Sequence, residues 1–230
     1  MSLNEELSEK LAYKMIDIIP GSATFKVPQS CIVTWGVMLA LVLLAIFFTR
    51  KMEIVPKGRQ ALLESFIGML YKVFYGILGE RGKKFIPYLL TVILYLGVSN
   101  MLGLIGIAPP TKDMNVTAGL ALISIVLVIY AGIQKRSFGG WIKHFAYPNP
   151  IITPLNVLEI GIKPLSLCIR LYGNILGAYI IMELIIYCIP AVVPLAASAY
   201  FDIFDGLLQA FVFCFLTTMY LNEAMEDEDR

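Results

Sequence analysis

Charge is what this 230-residue chain has least of: Asp, Glu, Lys and Arg together make up 15% of it, where a soluble globular domain carries about 25%. The 18 basic and 17 acidic residues nearly cancel, to a net +1, which excludes the broad basic footprint of a nucleic-acid-binding protein. Histidine occurs once, as His144 beside Lys143 in a polar stretch, so no histidine is expected as a proton relay within an apolar segment. The four cysteines, Cys31, Cys168, Cys188 and Cys214, all fall in apolar runs and form no CxxC. They read as small buried hydrophobes rather than metal or redox groups. A phosphate-cradling glycine loop, a repeat of fixed period and a low-complexity tract are also missing, which removes the usual signatures of nucleotide chemistry, solenoids and two-half carriers. No cofactor is expected.

What the chain has is apolar surface: 58% hydrophobic residues and a mean hydropathy of +0.77. The apolar blocks are long enough for helices spanning about 30 Å, whereas barrel strands would be short and alternating. The expected fold is an all-α integral membrane protein with about five membrane-embedded helices and one amphipathic interfacial helix. The core is read as a single domain over residues 31–222, between an N-terminal segment 1–30 and an acidic tail 223–230.

The first span is expected over Cys31–Thr49 and is stopped by Arg50-Lys51. Arg50, Lys51, Lys57 and Arg59 outweigh Lys26 on the other side, so the positive-inside rule places the N-terminus outside and the C-terminus in the cytoplasm. The N-terminal stretch lacks the basic front and apolar centre of a secretory signal, and none is expected. Residues 57–82 carry Arg59, Glu64, Lys72, Glu80 and Arg81 among helically spaced apolar residues, the pattern of an amphipathic helix on the cytoplasmic face. A second span is expected from Phe85 to about Ile107, with Asn100 deep inside it. An outside loop, PTKDMNVT, follows. The third span runs from about Val116 to Ile133 and leads into a cytoplasmic loop holding Lys143 and His144. A long segment from Thr153 to Ile189 exceeds a perpendicular span at about 1.5 Å per residue, so it must tilt steeply or break. A last helix follows from about Leu195 to Asn222.

Arg170 stands in KPLSLCIRLYGNIL with about ten largely apolar residues on either side. An arginine at such a depth costs on the order of 2.5 to 3.5 kcal/mol even on the mildest insertion scale, and is by default a functional-site hypothesis. Its neighbours on the same helical face are Ser166 and Asn174, with Gly173 beside them, and none is a carboxylate. Glu159 and Lys163 stand four apart in the favourable order for a pair within one helix, which a simple neutralised pair at the boundary also explains. On the last helix Asp202, Asp205, Gly206 and Gln209 share one face by the three-and-four rule. They read either as the lining of an aqueous cation entrance or as hydrated interfacial carboxylates. Glu183 reads either as part of that entrance or as a polar cap near Pro190. Gly173 and Gly177 form a small-xxx-small pair that lets another helix approach. Together these residues describe an arginine whose carboxylate partner is missing from the chain. A stand-alone cation carrier and a structural scaffold are the competing readings.

The segment SLCIRLYGN at 166–174 resembles the arginine motif of subunit a of the rotary, F-type ATP synthases. NMLGL from Asn100, the PTKDMNVT loop, PLNVLEIGIKPLSL from Pro154 and GLLQAFVFCFLT from Gly206 are similar to that family in the same order, over roughly residues 85–220. The resemblance implies a stator ion channel with two offset half-channels, carrying H+ by default and Na+ as the alternative. Its partners would be the c-ring, the peripheral-stalk b subunits, the remaining ATP synthase subunits and membrane lipid, with no nucleic acid. It implies a bacterial plasma-membrane location and a non-catalytic role within the complex. Arg170 would face the ring carboxylates, with Asn174, Gln209 and Ser166 as polar neighbours. Asp202, Glu183, Asp205 and Asn100 would line the outside half-channel, and Glu159 and Lys163 the cytoplasmic one. At the position five residues after the motif asparagine, where many relatives carry an acid, this chain has Tyr179. Glu183, one turn later, is the expected substitute.

Overall fold

Hydrocarbon offers no partner to a backbone N–H or C=O, so the long apolar runs can cross it only as helices with internal hydrogen bonds. The computed structural model describes residues 15–17, 26–50, 58–145, 153–188 and 192–226. Five helices there are long and apolar enough to cross a membrane. Helix α1 is Gln29–Thr49 and α2 is Arg59–Gly82, kinked at Gly79. Helix α3 is Ile86–Met101, with Pro87 in its first turn, where a missing N–H costs nothing. Helix α4 is Met114–Phe145 and α5 is Thr153–Cys188. The short α6, Val192–Ser198, continues through a π-helical stretch, Ala199–Asp205, into α7, Gly206–Met225.

Two helices run past their expected ends. Helix α4 runs on through Lys143 to Phe145, so His144 belongs to a helix rather than a loop. Helix α7 ends at Met225, which brings Glu223 out of the expected tail and into the helix. Charged residues end a membrane span without ending a helix, because water tolerates helical backbone, so hydropathy marks the first boundary only. The segment 153–188 is helical throughout despite Pro164. In the N-terminal segment, two three-residue strands, Met15–Asp17 and Lys26–Pro28, pair antiparallel with Ile16 opposite Val27. The remainder of that segment and the tail beyond Glu226 lie outside the described residues.

Helices α3 and α7 pack along each other, α2 lies against both, and α4 fills the angle between α5 and α7. Phe74, Ile86, Leu89, Leu96, Leu171, Phe213 and Leu221 form the buried core. In lipid such packing is driven by van der Waals fit and hydrogen bonds rather than by expulsion of water. Helix α1 turns Trp35, Leu39, Leu43 and Phe47 outward, the surface expected of a lipid-facing span. Of the cysteines, Cys168 and Cys214 are buried and Cys31 is half-buried, but Cys188 is exposed at the end of α5, against the buried reading.

Polar bonds fasten these helices at the end that carries the loop between α3 and α4. Asp113 caps α4, accepting from the Asn115 backbone N–H at 2.9 Å, and also accepts from the Ser30 hydroxyl of α1 at 2.5 Å. Thr34 and Tyr95 bond at 3.2 Å, tying α1 to α3. Asn100 is the central fastener. Its Nδ2 donates to the Gly206 carbonyl at 2.9 Å, and its Oδ1 accepts from the Thr111 hydroxyl at 2.9 Å, joining α3, α7 and the loop between α3 and α4. Asn100 and Thr111 are 4% and 0% exposed, so neither can turn to water if the other is removed. Replacing Thr111 by Val keeps the shape and removes the donor. It is expected to destabilise the protein by about 1–3 kcal/mol, read as a lowered thermal midpoint of the detergent-solubilised protein.

Candidate functional site

Arg170 lies on α5, and its direction is set by the other faces of that helix. Leu167, Cys168, Leu171 and Ile175 are buried, and Cys168 meets Thr117 of α4 at 3.6 Å. With that face turned inward, helical geometry turns Arg170, Gly173 and Asn174 outward, and all three are exposed. Among the described residues, no hydrogen bond or ion pair is made by the Arg170 guanidinium. Among the described residues, nothing lies within 4 Å of a Cβ built on Gly173 or Gly177, so none of the described helices fills the small-residue notch beside Arg170. Ser166, one turn before Arg170, is half-buried.

Two polar bridges between α5 and α7 bracket Arg170. On one side, Asn174 Nδ2 donates to Gln209 Oε1 at 2.6 Å. Gln209 is 2% exposed, and its Nε2 has no hydrogen-bond partner among the described residues. On the other side, Lys163 Nζ lies 2.9 Å from Glu223 and 3.1 Å from Glu159. The sequence pairing of Lys163 with Glu159 is present, and Glu223 joins it from α7. Sequence reasoning missed Glu223 because the residue was assigned to the tail; an antiparallel register of α5 and α7, counted from Asn174 and Gln209, places Tyr220 opposite Lys163 and Glu223 less than one turn beyond it.

Beyond the Asn174 bridge, a cavity of about 210 Å³ opens between α5, the loop after α3 and the π-helical stretch. Asn100, Glu183, Asp202 and Asp205, the four residues expected in an outside entrance, all line it. The Ser198 hydroxyl donates to Asp202 Oδ2 at 2.5 Å. A Cβ on Gly103 would stand 2.3 Å from Asp202 Oδ1, and one on Gly206 would stand 2.9 Å from the Asn100 Cβ. The absence of a side chain at these two positions is what lets the acid-bearing stretch close onto α3. Tyr179, at the position where the resemblance implied an acid, also lines the cavity, and its ring carries the Lys112 ammonium 3.7 Å from its centroid. Lys112 belongs to the loop motif but was not singled out in the sequence, because a stacking contact 67 positions away has no local signal. The π-helical stretch departs from the expected three-and-four spacing: Asp202, Asp205 and Gly206 reach the cavity, while Gln209 turns to Asn174.

An outward arginine thus lies between an acid-lined cavity and a lysine–carboxylate cluster, on helices long and apolar enough to cross a membrane. The sequence profile described as ATP synthase A chain matches residues 31–222. The chain belongs to that family. Among its relatives, ATP synthase subunit a of Gloeobacter violaceus is 38% identical over 212 residues, covering 87% of this chain and 85% of the relative. The Moorella thermoacetica subunit a is 35% identical over 189 residues, covering 82% of this chain and 86% of its own length. A third relative, "ATP synthase subunit a, sodium ion specific" of Propionigenium modestum, is 32% identical over 230 residues, covering 93% and 80%. As an ATP synthase A chain it is an integral membrane protein tied to ATP synthesis and ion transport.

The Asn174–Gln209 bond makes a direct prediction about the A chain. A double-mutant cycle of Asn174→Ala and Gln209→Leu, read by thermal stability in detergent, should give a favourable coupling of about 0.6 to 1.7 kcal/mol, the range of interhelical bonds in membranes.

Proposed function

We propose that this chain is the non-catalytic ion-conducting stator of its ATP synthase, working against a ring of c subunits and held by peripheral-stalk b subunits. The observation that carries the reading is Arg170: a full positive charge on an outward helix face, without an acid partner among the described residues, between two carboxylate-bearing regions. A cation enters from outside through the cavity, past Asp202, Asp205 and Glu183. It loads a ring carboxylate, travels with the ring for nearly a full turn, and leaves to the cytoplasm past Glu159 and Lys163. Arg170 pairs with each carboxylate that arrives unloaded and repels a bare cation, which blocks the direct leak. Asn174, Gln209 and Ser166 supply the polar surroundings of the guanidinium. The motive force contributes about 2.3 kcal/mol per charge per 100 mV. The open notch at Gly173 and Gly177 suits the close approach of a ring helix. In this reading the N-terminus lies outside, the C-terminus lies in the cytoplasm, and the complex sits in a bacterial plasma membrane.

Arg170→Ala should abolish ATP-driven ion pumping by the reconstituted complex while leaving the complex intact. Normal coupled pumping would refute the gate, and loss of assembly would favour a scaffold.

The coupling ion is proposed to be H+. The sodium-specific relative supports Na+ as a second reading. ATP hydrolysis by the purified complex at neutral pH should be indifferent to added sodium; strong activation by sodium would transfer the assignment to Na+.

A further inference from the structure

Lys163 stands between two carboxylates carried by two helices. Its Nζ is 2.9 Å from both oxygens of Glu223 on α7 and 3.1 Å from Glu159 Oε1 on its own helix. The ammonium also stands over the Tyr220 ring, 5.1 Å from the centroid. Its side chain is 17% exposed, against 51% for Glu159 and 54% for Glu223. The end of α7 that carries Glu223 is tethered independently, because Arg136 of α4 donates to the Glu226 carbonyl at 2.5 Å. One ammonium against two carboxylates leaves a surplus of one negative charge. The bidentate contact assigns the neutralised carboxylate to Glu223, and Glu159 keeps one contact and an open side.

We propose that Glu223 is a positioning residue for ion exit: by holding Lys163 from α7, it keeps the Glu159 carboxylate available to a departing cation. Without Glu223 the whole Lys163 charge falls on Glu159, four residues away in the favourable helical orientation, and Glu159 becomes an internally satisfied pair. The inference rests on the ion-channel reading above and adds to it a residue from the opposite helix.

A purely structural clasp between α5 and α7 makes the opposite prediction for a second substitution, so the test is one of rescue. The complete complex carrying Glu223→Gln is reconstituted in liposomes, and ATP-driven ion uptake, which passes the ion through the same Glu159 port in the reverse direction, is followed alongside hydrolysis rate and c-ring content. Uptake should fall roughly five-fold, the upper end of what one exposed ion pair is worth, with c-ring content unchanged. Lys163 carries the same sign of charge as the ion and acts on the exit only as counter-charge to Glu159 and Glu223, so adding Lys163→Gln removes the captor of Glu159 and should recover most of the lost uptake. An unchanged rate in the single variant, or a double variant as slow as the single one, would overturn the proposal. If Glu223→Gln fails to assemble, Glu223→Asp replaces it, with a smaller loss and the same rescue expected; loss without rescue is again fatal. Failure of the channel reading itself has a different signature, namely full pumping by Arg170→Ala.

Discussion

An arginine in an apolar span is a problem of direction before it is one of charge. Transferring a guanidinium into hydrocarbon is expensive, and the remedies are an acid partner, water, or a position from which the head reaches a polar partner. This chain provides no acid partner for Arg170 among its described residues. It provides a fixed azimuth instead. Leu167, Leu171 and Ile175 are locked inward, and a helix that rotated to hide Arg170 would have to expose them. The packing of α5 on α4 therefore holds the charge facing out of the subunit.

The two bridges between α5 and α7 reinforce that azimuth. Asn174 with Gln209, and Lys163 with Glu223, contact across the same helix pair on either side of Arg170. A single bridge would leave α5 free to pivot; two, separated by about 16 Å of helix rise, define its line. Neither bridge consumes the guanidinium. The outer cavity uses a different device, a π-helical stretch whose wider turn brings Asp202 and Asp205 to one wall, with glycines at 103 and 206 allowing the stretch to sit against α3. π-Helical turns are rare and occur frequently at functional sites.

The sequence already carries the parts of this arrangement that depend on one helix at a time. Hydropathy locates the spans, and a period of 3.6 residues puts Ser166, Arg170 and Asn174 on one face. The same period sets Asp202 and Asp205 on one face, while Asn100 and Glu183 join them as an expected entrance only through the family resemblance, and only the fold shows that the four share one cavity. Contacts between helices are not legible in this way. Glu223 was hidden because apolarity ends before the helix does, and Lys112 because its contact with Tyr179 depends on how a loop folds over α5. The three-residue strands near the N-terminus fall below the length at which alternation can be read.

The positions of the acids along α5 carry the argument for offset rather than continuous conduction. Glu159 and Glu183 are 24 residues apart on one unbroken helix, which is about 36 Å of rise and slightly more than a hydrocarbon core of about 30 Å. Arg170 falls between them, about 16 Å from one level and about 20 Å from the other. A cation moving straight along the helix from the outer acid to the inner one would leave all carboxylate support and meet a fixed positive charge near the midplane. Two unit charges at 4 Å repel by about 4 kcal/mol even at an effective dielectric constant of 20. A neutralising group that moves past the arginine avoids that encounter, because the cation travels bound and the arginine meets the carrier only when it is empty. In the proposed mechanism, the lack of an acid partner within the chain is therefore the condition for coupling: a permanent internal partner for Arg170 would neutralise the barrier that forces the ion onto the moving carrier.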